Sequence, residues 1–476
     1  MFSVYKTVVF LAKRSYSGSM GIESHVHPHT ERTFVSNRCQ WVRLNRSWIF
    51  FGAVAVILAT TLLAHSGFSD ESAQIPETLA ALLPDVLCNA QGNRVDDIQQ
   101  WNKTVRPSLL ELFSREAYGR PLPAAPVLAV LVEESQVARG GGAIRRQYRM
   151  SVGQGATLRE IDVLEYMPHA PSTPPGVFIG INFLGNQSVD PDPEILITRA
   201  WLNNTKDGLV VDHRATEASR GAKTNRWPVD TILKSGFGLV TFCYGDVHPD
   251  RPDGRAESVL VALGRPAGGE LESDEPGAIT AWAWGVSHLV DWLFTRKDVD
   301  LKRLAVVGHS RLGKTALLAG ARDERLAMVV SNNSGSMGAA LSKRPVGEDV
   351  AAITKNFPQW FAPQLARWAG REQEMPFDQH MLLALTAPRL IYVASAQEDS
   401  WADPEGEFLS LLAASPVWQR SGLGGLPASS MPPVDQPLWG RAMGYHIRTG
   451  SHDLLPYDWG KFLEFANKNM PAVTTQ

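Results

Sequence analysis

The amino-acid sequence predicts an α/β protein with a mostly parallel central sheet and helices on both faces. Three observations carry this expectation. Short, continuous apolar runs such as "GVFIGINF", "RLAVVGHS" and "LIYVASA" recur along the chain, as strands buried on both faces do. Between them lie segments whose apolar residues repeat at helical spacing, such as "AITAWAWGVSHLVDWLF", and strands alternating with helices build parallel sheets. The third observation is "VVGHSRLGKTALLAG", Val306 to Gly320. There an apolar run reaches a glycine, a serine follows two residues later, and a helix of small residues begins.

In order, "DDIQQWNKTVRPSLLELFSREAYGR" reads as a helix that stops at Gly119, where a residue without Cβ ends the turn. Alternating apolar residues between Val127 and Leu164, broken by Gly140 to Gly142, predict strands and a hairpin. "GVFIGINF" is a buried strand followed by "LGNQ", and "GFGLVTFCYGD" is another that ends in a loop. After the helix "AITAWAWGVSHLVDWLF" come the strand "RLAVVGHS" and the helix "RLGKTALLAGA". "LAMVVSNNSG", "APRLIYVASAQEDSWADP" and "GYHIRTGSHDLLP" are each a strand with its loop, "FDQHMLL" is a helix, and "APSTPP" and "SSMPPVDQP" are loops by proline content. One domain is expected over residues 76–470.

The composition narrows the function. The chain has 476 residues, a formal net charge of −3, 44% hydrophobic and 20% charged residues, which is ordinary for a globular protein. Lysines and arginines are scattered, so no nucleic-acid footprint is expected. Cys39, Cys88 and Cys243 are the three cysteines; they form neither a disulfide framework nor a zinc pattern, and no metal or cofactor is expected.

The run "WIFFGAVAVILATTLLA", Trp48 to Ala64, is preceded by Arg43 and Arg46 and followed by "HSGFSDESAQ". A basic flank, an apolar core and a polar exit describe a signal peptide or a transmembrane signal anchor. The core is at the lower limit for crossing a bilayer. Residues 1–46 then form a polar, disordered tail, residues 47–67 the signal or anchor, and the rest is exported: periplasmic, secreted or held at a membrane. A monomer is expected.

Strand, sharp turn, serine and helix make up the nucleophile elbow of α/β-hydrolases. The usual pattern is G-x-S-x-G. Here Gly308 fits, but Leu312 takes the second glycine's place and Gly313 comes one residue late. A packed turn with a capping serine is the bland alternative. A serine nucleophile needs a base and an acid that orients it, supplied in this fold by loops after later strands. His452 follows the last strand-like run; its rivals are His446, inside that strand, and His380, on a helix. The acid lies among Glu398, Asp399 and Asp403, after "LIYVASA". Arg311 and Lys314 crowd the first turn of the elbow helix. Lys314 is four residues past Ser310, so both face the pocket mouth. An arginine there stabilises a developing oxyanion, and a lysine suits a hydroxyl-rich substrate such as a sugar. The alternative for both is a solvated surface cation.

Ten segments in order, from about Leu83 to Ala466, resemble the glucuronoyl esterases, above all their bacterial members. They are "LFSREAYGRP", "FLGN", "NRWPVD", "YGDVHPD", "ITAWAWGVSHLVDWL", "VVGHSRLGKTALLAGA", "SNNSGSMGAALSKR", "FDQHMLLALTAPR", "EDSWADPEGEF" and "HDLLPYDW". The late glycine is that family's own form of the elbow. The resemblance implies a cofactor-free serine esterase, a carboxylic ester hydrolase of the 4-O-methyl-glucuronoyl methylesterase type. Its substrates would be esters of glucuronic acid on plant cell-wall glucuronoxylan, including lignin–carbohydrate esters, and small glucuronate esters. It implies Ser310 as nucleophile, Arg311 as oxyanion stabiliser and His452 as base, with Lys314, Glu348 and Trp401 on the uronic acid. One departure stands out. Many members carry the acid just before "SGxGG", where this chain has Asn333, which cannot bear charge. Other bacterial members use the acid two residues before the Trp of "WADP", which is Asp399. The rival readings are an esterase for another carbohydrate ester, such as acetylated xylan, and a non-catalytic glycan-binding hydrolase fold.

Overall fold

The computed structural model describes residues 75–472, apart from 90 and 429. The expected N-terminal tail and the apolar run at 48–64 lie outside the described residues, and so does the question of an anchor. Among the described residues no helix is long and apolar enough to cross a membrane.

A ten-stranded sheet organises the chain. Its strands are β1 (Ala129–Ala138), β2 (Ala143–Val152), β3 (Arg159–Pro168), β4 (Gly176–Asn182), β5 (Phe237–Cys243), β6 (Leu304–His309), β7 (Met328–Asn332), β8 (Leu390–Ala396), β9 (Leu438–Trp439) and β10 (Met443–Arg448). In space they run β1-β2-β3-β5-β4-β6-β7-β8-β10-β9. The six from β5 to β10 in that order pair in parallel; β1 to β3 join as an antiparallel meander, and β9 closes the far edge antiparallel.

Both faces are covered, as the continuous apolar runs predict. Along β6, Leu304 and Val306 point into one core while Ala305 and Val307 point into another. The first core packs under helices α1 (Ala278–Leu293), α2 (Arg311–Arg322) and α3 (Pro404–Arg420), with the helical segment from Ile98 to Tyr118 beside them. The second packs under α4 (Pro456–Asn469) and the short helix Val229–Lys234. Each fully buried aliphatic side chain in these layers stabilises the fold by about 1.5–3 kcal/mol. The helix over 98–118 contains two π-helical turns, Trp101–Val105 and Ser114–Tyr118, and ends at Gly119 with φ 84°.

Register decides where chemistry can gather. Gly308 pairs with Ser331 and His309 with Asn332; Asn332 in turn faces Ala394, and Ala396 faces Arg448. The carboxyl ends of β6, β7, β8 and β10 therefore finish level. Their loops open onto one crevice, the usual ligand site of an open parallel sheet.

Candidate active site

The elbow is built by close approach. Ser310 has φ 58° and ψ −131°, a backbone conformation that costs a non-glycine residue about 1–3 kcal/mol. Its amide donates to Asn332 O (2.9 Å) and its carbonyl accepts from Gly313 N (2.8 Å), which opens α2. A Cβ on Gly308 would lie 1.8 Å from Leu312 O, and one on Gly313 would lie 2.8 Å from Ser334 Cβ. Gly313 rather than residue 312 meets the neighbouring loop, which is the physical reason the second glycine is displaced.

His452 sits on the loop after β10. The buried Arg448 holds that loop from beneath: its guanidinium donates to the carbonyls of Thr449 (2.9 Å), Ser451 (2.9 Å) and Asp453 (2.6 Å). Arg448 Nε donates to Asp458 Oδ2 (3.0 Å) on α4, and Asp458 Oδ1 lies 2.8 Å from His446 Nε2. His446 Nδ1 meets Tyr392 Oη at 3.0 Å. Both nitrogens of this rival histidine are thus engaged beneath the site, and the other rival, His380, is buried against Pro84 O (2.9 Å).

His452 is brought to Asp399: Nδ1 lies 2.5 Å from Oδ2, with the imidazole 43% exposed and the carboxylate 6%. The two loops are stitched by Glu398 N donating to Gly450 O (3.1 Å) and Gln397 N to Arg448 O (2.8 Å). The other face of His452 packs on His309, with ring centroids 4.5 Å apart, next in sequence to Ser310. His309 Nδ1 lies 2.7 Å from Asn332 Oδ1. Burial, with His452 adding to it, drives its pKa well below the ordinary imidazole value, so it presents a neutral ring. Asp403 is not drawn to His452: it is buried with Arg344, in a left-handed conformation at the start of α3. Asn333 has φ 46°; its Nδ2 donates to Asp453 O (2.9 Å), and its buried Oδ1 has no partner among the described residues.

Arg311 is half-buried. Its Nη1 donates to Asp250 Oδ2, and its Nε is buried with no partner. Lys314 corrects one expectation. Its ammonium is not open at the pocket mouth but 3% exposed, donating to Ser334 O (2.7 Å), Ser336 O and Glu348 Oε2 (3.1 Å). All three of its donors are engaged, because the loop after β7 folds over it. Glu348 N donates in turn to Trp401 O (3.0 Å), and the Trp401 ring is 58% exposed. Beneath this loop lies Glu407, which accepts from Ser334 N (2.7 Å), Gly335 N (2.9 Å) and Ser395 Oγ (2.6 Å); burial pushes its pKa up to about 7. Asp250, Glu407 and Arg448 were not singled out from the sequence. Asp250 and Glu407 do fall in "YGDVHPD" and "EDSWADPEGEF", two of the segments that carry the resemblance. Among the described residues no group of three or more His, Cys, Asp or Glu is placed to hold a metal ion.

Comparison with known proteins points to one family. The family described as glucuronyl esterase, fungi, matches residues 271–422. Carbohydrate esterase MZ0003 of an unknown prokaryotic organism is 38% identical over 406 residues, 85% of this chain and 92% of the relative. The 4-O-methyl-glucuronoyl methylesterase of Cerrena unicolor is 35% identical over 272 residues, 53% of this chain and 54% of its own. Among solved structures, a glucuronoyl esterase from Solibacter usitatus is 39% identical with a TM-score of 0.76, covering 82% of this chain and 97% of its own. With an α/β-hydrolase sheet, an elbow serine, a histidine–carboxylate pair on the loops after β8 and β10, and a relative matched over almost its whole length, the chain belongs to the glucuronoyl esterase family of carboxylic ester hydrolases.

Proposed function

We propose that this protein hydrolyses the ester between (4-O-methyl-)D-glucuronic acid of glucuronoxylan and an alcohol, lignin alcohols included. Small glucuronate esters are further substrates. The Asp399–His452 pair, with His452 packed on His309 next in sequence to the elbow serine, carries the reading. Ser310 Oγ attacks the C6 carbonyl while His452 Nε2 takes its proton. Asp399 fixes the tautomer that leaves Nε2 free and stabilises the imidazolium that forms. The place of Arg311 in the first turn of α2, next to Ser310, supports its role towards the oxyanion, where a guanidinium offers both charge and N–H donors. His452 then protonates the departing alcohol. Water, activated by the same imidazole, releases glucuronate from the acyl-serine.

The uronate ring is assigned to Lys314, Glu348 and Trp401. The exposed indole offers an apolar face to a sugar ring. Lys314 acts through Glu348, holding one carboxylate oxygen while the other accepts from a sugar hydroxyl. Residues 76–470 form a single catalytic domain, which acts as a monomer and is carried out of the cytoplasm by the apolar run at 48–64, as a cleaved signal or as an anchor.

The test is hydrolysis of a glucuronate methyl ester beside acetylated xylan by the full-length protein and by Ser310→Ala. Turnover of the uronate ester that falls by several orders of magnitude in a folded Ser310→Ala variant is expected. Preference for acetylated xylan, or near-normal turnover without the serine hydroxyl, refutes the proposal. Fractionation of a tagged full-length chain reads export: a cytoplasmic product with an intact N-terminus contradicts it.

A further inference from the structure

Arg311 stands at the end of a chain of fixed parts. Asp250, in "YGDVHPD" after β5, has a side chain only 1% exposed and gathers three donors. Arg311 Nη1 donates to its Oδ2, while Gln359 Nε2 (2.8 Å) and Trp360 Nε1 (2.7 Å) donate to its Oδ1. The guanidinium is walled by aromatic rings, with centroids at 4.8 Å (Trp360), 5.5 Å (Phe357) and 5.8 Å (Phe183). Phe357 and Trp360 stack on each other 3.8 Å apart. The segment that carries them is pinned to the first turn of α1, where Ala278 N donates to Gln359 O (2.8 Å) and Ile279 N to Trp360 O (3.1 Å). At Gly277 the approach is so close that a Cβ would lie 2.5 Å from Trp360 O.

Resting on the proposed ester hydrolysis, we infer that Asp250 is a positioning residue for that reaction and acts only through Arg311. It has two effects. It holds the guanidinium in one orientation, so the donor edge meets the oxyanion without reorganising when charge develops. It also occupies Nη1 and offsets the cationic charge. That second effect matters because the product of this reaction is itself a carboxylate, formed where the ester stood. A free guanidinium binds carboxylates bidentately and tightly. An arginine already paired with Asp250 stabilises the short-lived oxyanion and still lets glucuronate go.

The experiment compares the full-length protein with Asp250→Asn, Arg311→Ala and the double variant, using glucuronate methyl ester as substrate and free glucuronate as inhibitor. For Asp250→Asn, kcat should fall about 10- to 100-fold, somewhat less than for losing an oxyanion donor outright. KM should stay within about threefold, and Ki for glucuronate should drop by about tenfold as the site becomes more cationic. In the Arg311→Ala background the same substitution should change kcat by no more than about threefold, because coupled residues are non-additive. Losses that add in the double variant overturn the inference, as does a Ki that holds or rises, or an unchanged kcat beside a crippled Arg311→Ala. A fully active Arg311→Ala removes the oxyanion reading and the inference with it. If Asp250→Asn does not fold, Trp360→Phe removes one donor from Asp250 and keeps a ring against the guanidinium. It must then show the same non-additivity with Arg311→Ala, and additive losses overturn the inference in the same way.

Discussion

Replacing Asp399 by asparagine asks the sharpest question of the site. The side chain keeps its size, and only 6% of it is exposed, so the fold is left in place. What changes is the bond to His452. If the new Nδ2 faces His452, the imidazole must turn its Nδ1 lone pair towards it. Nε2 then carries the proton and cannot accept one from Ser310. If Oδ1 faces the ring instead, the tautomer survives but the charge opposite the imidazolium is gone. That charge is worth at most about 4 kcal/mol, taking unit charges ~4 Å apart at an effective dielectric constant of ~20. The 43% exposure of His452 lowers this to about 2–3 kcal/mol, or roughly 30- to 150-fold in rate. The tautomer penalty comes on top, and the matching change in a serine protease removes about 10⁴ in kcat. A loss of about 10³- to 10⁴-fold in kcat on glucuronate methyl ester is therefore expected, at an unchanged Tm. Asp403→Asn, which weakens the ion pair with Arg344, should change Tm and leave kcat nearly alone. If Asp399→Asn in folded protein loses less than about tenfold, or if Asp403→Asn loses as much, Asp399 is not the group that orients the base.

Four further outcomes are expected. Asn333→Glu, added to Asp399→Asn, should recover activity by supplying a carboxylate on the adjoining loop. Lys314→Ala should lower Tm and weaken catalysis on glucuronate esters by roughly 1.5–3 kcal/mol while sparing a small acetate ester; equal losses on both substrates would end the uronate role. Gly308→Ala should not yield folded protein, since its Cβ meets Leu312 O at 1.8 Å, and a folded, active product would show that the elbow relaxes. Glu407 titrates near 7 in the fold, above its ordinary value. The folded state therefore holds this proton where the unfolded chain has lost it: stability is greatest below the unfolded pKa and falls as pH rises through about 7. The wild type should lose up to about 3 kcal/mol between pH 4.5 and 7 relative to Glu407→Gln, and parallel pH–stability curves would contradict this.

Strands, helices and the crevice they share were legible because each depends on local pattern. The run "RLAVVGHS" needs no partner to declare itself a doubly buried strand, and its glycine and serine mark where it must turn. The fit of the Asp399–His452 bond to the loops after β8 and β10 follows from the same logic, since parallel strands finish level. What stayed hidden depends on distance in the chain. Nothing local to Lys314 reveals that the loop after β7 will fold over it and engage its three donors, so it read as open. Asp250 lies 61 residues before its partner Arg311, and Glu407 more than 70 residues after the amides it receives. A buried acceptor looks like any other acidic residue until the fold brings its donors to it.

The hold of Arg448 on the His452 loop also ties the site to a distant part of the chain. The guanidinium that grips three carbonyls around His452 is itself gripped by Asp458, on α4. The nucleophile elbow sits some 140 residues earlier in the chain, and its strand pairs with β4 and β7, both synthesised well before α4. The serine turn therefore rests on strands that precede α4 in the chain. The loop that carries the imidazole rests on α4 through Arg448 and Asp458. Two candidate catalytic side chains thus depend on parts of the chain far apart in sequence, Ser310 on the middle strands and His452 on α4.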